Sequence, residues 1–531
     1  MPPILFQWSL NKWLLLLGSI VLGFVLIALS NTRVLPLDGV HFAFFTFLTF
    51  LFALYRPGWA FLFLVALLPL ETVTLIPESW FGMTLRPYQW LSVLLLLALG
   101  ARFLLKKLPF ALFRPRWFDY ALGCIVLGGL LALLNAPDAT LSFKQVLIVG
   151  SFALVYITGR IFLQSVDDIR QTLPFFFSGS VVTAVYALWQ NIRFRGGLES
   201  FQVMAGRPNS TMSEADWLGL FILFCMAALW ALLMEPALRH NKVFVSVFIL
   251  LQTLFSLVLI IAVSRSAWLG ALLALGIFLL LCFFSFKKES VSSPSLLMRL
   301  KETSRIKALI VGPFLLALVL VFSLHLTTFK LGERAGSTAS GLQKITVACE
   351  KEQALPEKIT ALDELSPIGC RHIPLEAIEH EKADGNFVAS VYRDDPNISI
   401  RGKIYGHVWE KIKEHPLLGI GWGSISRSLG TDERGAGLNA SNMFFEIWLG
   451  SGIVGLIAFL SVWLALFGVA ILGIARNTWK ESDMSLAVFI VTAWVGITVF
   501  NLFNSGILLG FFFLYLSIGA LLLEKRGETN N

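Results

Sequence analysis

Apolar residues fall in long runs separated by short polar segments. The runs match the roughly 20 residues that a helix needs to cross a bilayer. Reading them in order gives about 14 segments of spanning length. They lie near 12–30, 37–55, 58–76, 87–105, 117–136, 143–163, 173–192, 215–234, 242–262, 265–285, 307–326, 443–473, 484–503 and 505–524. Region 37–76 reads as two spans, or as one long span with an interfacial piece hinged at Arg56-Pro57-Gly58. Lys12-Trp13-Leu14 opens a run with no Ala-x-Ala end, so it reads as a first span and not as a cleavable signal. One connection is far longer than the rest. Residues 327–442 carry charges of both signs and predict a folded piece, not a linker. The expected organisation is spans 1–11 over 1–326, a large loop over 327–442, and spans 12–14 with a tail over 443–531. The predicted fold class is an all-α polytopic integral membrane protein whose large extracytoplasmic loop contains helices.

Composition excludes the soluble alternatives. Of 531 residues, 56% are hydrophobic and 14% charged, too apolar a chain to cover a soluble surface. A net charge of +8 would suit a nucleic-acid binder, but the basic residues sit in short connections between apolar runs. That placement sets membrane orientation instead. Lys106, Lys107, Arg114 and Arg116 follow the fourth run. Lys287, Lys288, Arg299, Lys301, Arg305 and Lys307 follow the tenth. Arg239 and Lys242, Arg476 and Lys480, and Lys525 and Arg526 fall on the same side, which is expected to be cytoplasmic together with both termini. The alternate connections carry Arg33, Arg86, Lys144, Arg193, Arg195, Arg207 and Arg265.

Cys124, Cys225 and Cys282 lie inside apolar runs and read as packing residues. Cys349 and Cys370 are the two cysteines of the large loop. In an oxidising compartment they can pair; the alternative is two free thiols.

Four stretches are candidates for chemistry. Arg265, in Ser264-Arg265-Ser266-Ala267-Trp268, stands between two apolar runs with no acid nearby in sequence. It either snorkels to lipid phosphates or presents its planar fork to an anionic ligand. Arg207 precedes the eighth run, where Ser213 is the expected helix N-cap and Glu214 or Asp216 a possible ion-pair partner. Arg193 and Arg195 precede it in the same connection and could extend a basic surface. Arg401 opens an amphipathic helix with Ile404, Val408 and Ile412 at spacing four, and with Tyr405 and Trp409 suited to a headgroup interface. That helix is expected to end at Glu414-His415-Pro416, followed by the glycine-rich turn Leu417 to Gly423. Last, Asn439 to Gly455 re-enters the membrane with Glu446 about one turn inside, where an acid needs a partner or a function. Gly452 and Gly455 read as helix-packing residues. No phosphate loop, GxSxG, HExxH or zinc-spaced cysteine pair occurs, and the seven histidines are scattered. Asp138 stands alone in its connection, so metal-independent chemistry without a cofactor is expected.

In this order and topology, the stretches resemble the O-antigen ligase/polymerase family of bacterial membrane proteins. The resemblance rests on Arg207 to Leu218, Ser264 to Trp268, the late large loop, Arg401 to Gly421, and Asn442 to Gly455. It implies a glycosyltransferase of the bacterial cytoplasmic membrane. The donor would be an undecaprenyl-diphosphate-linked glycan and the acceptor a glycan or lipid, with other polysaccharide-assembly membrane proteins as candidate partners. Arg207, Arg265 and Arg401 would stabilise the departing diphosphate, and a base would deprotonate the attacking hydroxyl. Tyr405, Ser441, Asn442, Arg193 and Arg195 are candidate substrate contacts.

One position departs from the family pattern. Ligases usually carry a histidine directly before the asparagine matched to Asn442, and this chain has Ser441. His407 lies six residues from Arg401, about 120° away around a helix, so the two do not share a face. Glu446 is the better-placed base. The departure shifts weight toward a polymerase or a divergent member. A lipid-linked-sugar flippase and an inactive scaffold of the same family are the competing readings.

Overall fold

The computed structural model describes residues 11–108, 110, 112–285, 296–327, 329, 331, 342–359, 362–373, 378–394, 396–431 and 437–529. Lys287 and Lys288, used above for orientation, lie outside them. Each apolar run contains a helix. In chain order these are α1 (Asn11–Asn31), α2 (Gly39–Tyr55), α3 (Pro57–Leu67), α4 (Pro87–Leu104), α5 (Trp117–Leu131), α6 (Ala139–Phe162), α7 (Val166–Arg195), α8 (Ala215–Leu232), α9 (Lys242–Ile261), α10 (Arg265–Ser285) and α11 (Leu296–Ser323). After α12 (Pro396–Glu414) in the large loop come α13 (Met443–Ala475), α14 (Glu481–Asn501) and α15 (Gly510–Thr529). Eleven helices among the described residues are long and apolar enough to cross a membrane, which makes this a multi-pass membrane protein. The expectation of 14 is larger by three. α2 and α3 are apolar but only 17 and 11 residues long, and the last ten residues of α15 include Glu524, Lys525 and Arg526.

Contacts between the connections sort them into two ends. At one end Leu37 N–H donates to Leu75 O, Glu71 N–H to Thr211 O, and Arg207 Nε to Ala262 O. Asn191 reaches Leu326 O, and Asp138 pairs with Arg427 of the large loop. We call this the loop end. Asp138 is therefore not isolated; its partner lies 289 residues away, beyond sequence reasoning. At the opposite end Arg160, buried, pairs with Asp119 and Glu524, Arg170 with Glu235, and Lys525 with Asp483. A buried guanidinium loses its hydration, and two carboxylates offset that cost.

The fold is mostly helical and the large loop contains helices, as expected, but the loop also carries a small sheet that the sequence reading did not include. β1 (Leu342–Cys349), β2 (Lys358–Ile359), β3 (Cys370–Ile373) and β4 (Phe387–Asp394) form one sheet in the order β2-β4-β1-β3. β1 pairs antiparallel with β3 and β4, while β2 and β4 are parallel. Ile345, Val347, Cys349, Ile359, Leu365, Cys370 and Val391 make a small core separate from the helical one. Cys349 and Cys370 are opposite each other in the β1–β3 register and form a disulfide. Period-two alternation in β1 and β4 was the available signal.

α13 is broken. Gly452 has φ of 69°, dividing it into a short first segment and a longer second one. In an unbroken helix Ile453 N–H would bond to Leu449 O. Here Ile453 N–H donates to Leu417 O at 3.1 Å, and Leu449 O accepts from Ile420 N–H (2.8 Å) and Gly421 N–H (3.1 Å). Trp448 Nε1 donates to Pro416 O at 2.8 Å. The turn after α12 thus supplies the hydrogen bonds that the break removes. This is what the glycines are for: a Cβ on Gly452 would lie 2.2 Å from Leu417 O, and one on Gly419 (φ 72°) 2.4 Å from Leu449 O. Gly452 is a break point, not the helix-packing residue expected. Gly452→Ala should lower stability by roughly 1–3 kcal/mol through the left-handed backbone alone, before the clash adds to it. Thermal unfolding in detergent checks this; an unchanged melting temperature would contradict the exchange of hydrogen bonds.

Candidate functional site

The segment between α14 and α15, residues 502–509, is the hub of the loop end. Sequence reading divided it between the ends of two spans, 484–503 and 505–524. The polar cluster Asn501, Asn504, Ser505 and Gly506 between apolar runs was the signal that could have marked it.

Arg401 lies in the second turn of α12, with its guanidinium 5.7 Å from the Phe503 ring centroid. That distance suits a cation–π contact. One turn on, Tyr405 Oη lies 3.1 Å from Ser441 O and 3.0 Å from Leu502 O. Burial pushes the Tyr405 phenol up, against the Arg401 charge and a hydrogen bond with Asn442. A raised phenol stays protonated at neutral pH, so it acts as a donor to these carbonyls. Ile404, Val408 and Ile412 are buried, as the spacing predicted.

Asn442 is the N-cap of α13. Its Oδ1 accepts from Phe444 and Phe445 N–H, while its Nδ2 donates to Leu502 O at 3.3 Å. Ser441, with φ of 50°, turns the chain into this cap. Glu446 Oε2 accepts from Ala440 N–H at 2.7 Å, and the Ser505 hydroxyl bonds to the same carboxylate. Ser505 Oγ also lies 3.5 Å from Asn439 Oδ1.

Arg265 opens α10 and is half-buried. Its neighbour Ser266 accepts from Asn504 Nδ2 at 2.9 Å. Arg207 is more enclosed. Its Nη2 is 3.2 Å from Asp216 Oδ1 and its Nε 3.1 Å from Ala262 O, three residues before Arg265. The ion pair with Asp216 is one of the two alternatives the sequence left open. Trp217, beside Asp216, packs against Gly506 and against the Phe500 ring. The N-cap of α8 is Glu214, not Ser213.

Arg207, Arg265, Arg401, Tyr405, Ser441, Asn442 and Glu446 therefore connect through 502–509 and its immediate neighbours. Arg193 and Arg195 do not extend this surface as a loop. They occupy the last turn of α7, where Arg193 donates to Glu199 O and stacks on Trp189. A largely apolar cavity, lined by Phe176, Phe224, Leu486 and Phe489 with Arg170 and Glu235, belongs to the opposite end and includes none of the candidate residues. Among the described residues, no group of three His, Cys, Asp or Glu is placed to hold a metal ion.

Residues 250–460 match the family model described as O-antigen ligase. The resemblance to the O-antigen ligase family is established over these residues. No curated protein matches the chain. The O-antigen ligase stretch runs from within α9 into the second segment of α13. It holds Arg265, Arg401, Tyr405, Ser441, Asn442 and Glu446, and it omits Arg207 and the 502–509 hub. Asn442→Ala should cost about 1 kcal/mol by loss of the N-cap alone. Unfolding in detergent would show it, and full stability in the variant would contradict the cap.

Proposed function

We propose that the chain is a glycosyltransferase that uses an undecaprenyl-diphosphate-linked glycan at the outer face of the bacterial cytoplasmic membrane. The observation that carries this reading is the convergence of the family motifs on one loop-end cluster, six of whose residues lie in the O-antigen ligase stretch. The loop end is the outer face. Counting α2, α3 and α15 as crossings beside the eleven gives fourteen spans over 1–326 and 443–531, which leave both termini cytoplasmic and residues 327–442 outside.

In the reaction an acceptor hydroxyl forms a bond to the anomeric carbon while the bond to the diphosphate breaks. Negative charge grows on the leaving group, and Arg265 and Arg401 stabilise it. Arg207, held by Asp216, adds a third guanidinium at the same end. Glu446 takes the hydroxyl proton, and Tyr405, Ser441 and Asn442 line the acceptor side. No metal or cofactor enters this scheme. Ser441 in the family's histidine position favours polymerisation on the lipid carrier over ligation to a second acceptor.

Arg265→Ala and Arg401→Ala should each lower transfer about 10²-fold or more while the protein still inserts into the membrane. Transfer assays on purified variants against lipid-linked oligosaccharide check this. Full activity in both would reject the assigned roles, and a wild type with no activity would leave the scaffold reading.

A further inference from the structure

Glu71 follows α3 in a segment that sequence reading placed inside a span. It is 6% exposed. Burying a carboxylate costs several kcal/mol unless donors replace its water. Two donors and one cation do so here. Tyr88 Oη lies 2.9 and 3.0 Å from its two oxygens, and Gly510 N–H donates to Oε1 at 3.0 Å. Arg86 pairs with the carboxylate, Nε 3.0 Å from Oε2, while its Nε–H donates to the Glu71 backbone O at 2.9 Å. Gly510 is the first residue of α15, directly after the 502–509 hub.

The backbone of the same residue faces a second segment. Glu71 N–H and Thr72 N–H both donate to Thr211 O, at 3.0 and 2.9 Å. Thr211 Oγ1 donates back to Pro69 O at 2.6 Å. Thr211 lies between Arg207 and its partner Asp216. One residue thus holds both segments that the O-antigen ligase match omits: the Arg207 segment through its backbone, and the end of the hub through its side chain.

We propose that Glu71 is a positioning residue that sets the register between the Arg207 segment and the 502–509 hub. This deepens the glycosyl-transfer reading and rests on it. Glu71 touches neither donor nor acceptor. It fixes where Arg207 stands relative to the groups around Asn504, so its loss should lower turnover and leave donor affinity nearly unchanged. A misplacement of about 1 Å can cost 10²-fold in rate.

The test uses the full chain in lipid nanodiscs carrying Cys124→Ala, Cys225→Ala and Cys282→Ala, with spin labels at Ser213→Cys and Leu502→Cys. Glu71→Ala/Arg86→Ala leaves neither charge unpaired. It should broaden or shift the label distance and lower kcat about 10²-fold, with KM for the lipid-linked donor nearly constant. Glu71→Gln/Arg86→Gln keeps an acceptor for Gly510 N–H and should retain both the wild-type distance and most of the turnover. Should the double-alanine chain fail to fold, Tyr88→Phe removes one donor, keeps the ion pair, and should show a smaller broadening. An unchanged distance in a folded variant overturns the proposal, as does a shifted distance with unchanged turnover. A wild type with no transfer refutes the glycosyl-transfer reading alone, since the label distances still decide whether Glu71 sets the register.

Discussion

The hydrogen-bond exchange at Gly452 is the constraint on which the loop end depends. A break in a membrane helix exposes backbone groups that hydrocarbon cannot satisfy, so protein must cover them. Here the turn after α12 does so: Leu417 O takes the Ile453 N–H, and Leu449 O receives two donors in its place. The exchange fastens α12 to α13. It thereby fixes Arg401 and Tyr405 on one element relative to Asn442 and Glu446 on the other. The 502–509 hub then closes on both, through Phe503 beneath Arg401 and through Leu502 O beside Tyr405 and Asn442.

The charges of the loop end differ in how far they are enclosed. Arg207 and Glu71 are enclosed and held by opposite charges, as burial demands. Arg265 and Arg401 are only half-buried, and Arg401 stands over an aromatic ring. The enclosed pairs hold the loop-end segments together, while Arg265 and Arg401 are the arginines to which the proposed function assigns the diphosphate.

Much of this was legible in the chain. Bilayer thickness imposes a length on every apolar run, so each expected segment contains a helix. The spacing of Ile404, Val408 and Ile412 and the proline at 416 gave the extent of α12 closely at its C-terminal end. Two of the failures share a cause. Gly452 in an apolar run looks like a packing residue until its partner, Leu417, is known. Glu71 looks like a stray acid in a span until Gly510 is brought to it across 439 residues. The β-sheet of the large loop was hidden by charge, because its strands alternate over only a few residues and its core is small. Long-range hydrogen bonds decide the roles of Gly452 and Glu71, and no local pattern encodes those two.

The most direct test of glycosyl transfer at the loop end is made in the native host with the gene deleted. Undecaprenyl-linked glycans and surface polysaccharide would both be extracted and sized. The account predicts that single repeat units accumulate on the lipid and long chains disappear, or that long chains accumulate on the lipid and the final acceptor stays bare. The first outcome marks a polymerase, the second a ligase, and the Arg265→Ala gene should restore neither pool. Unchanged pools, or lipid-linked units trapped on the cytoplasmic leaflet, would contradict it.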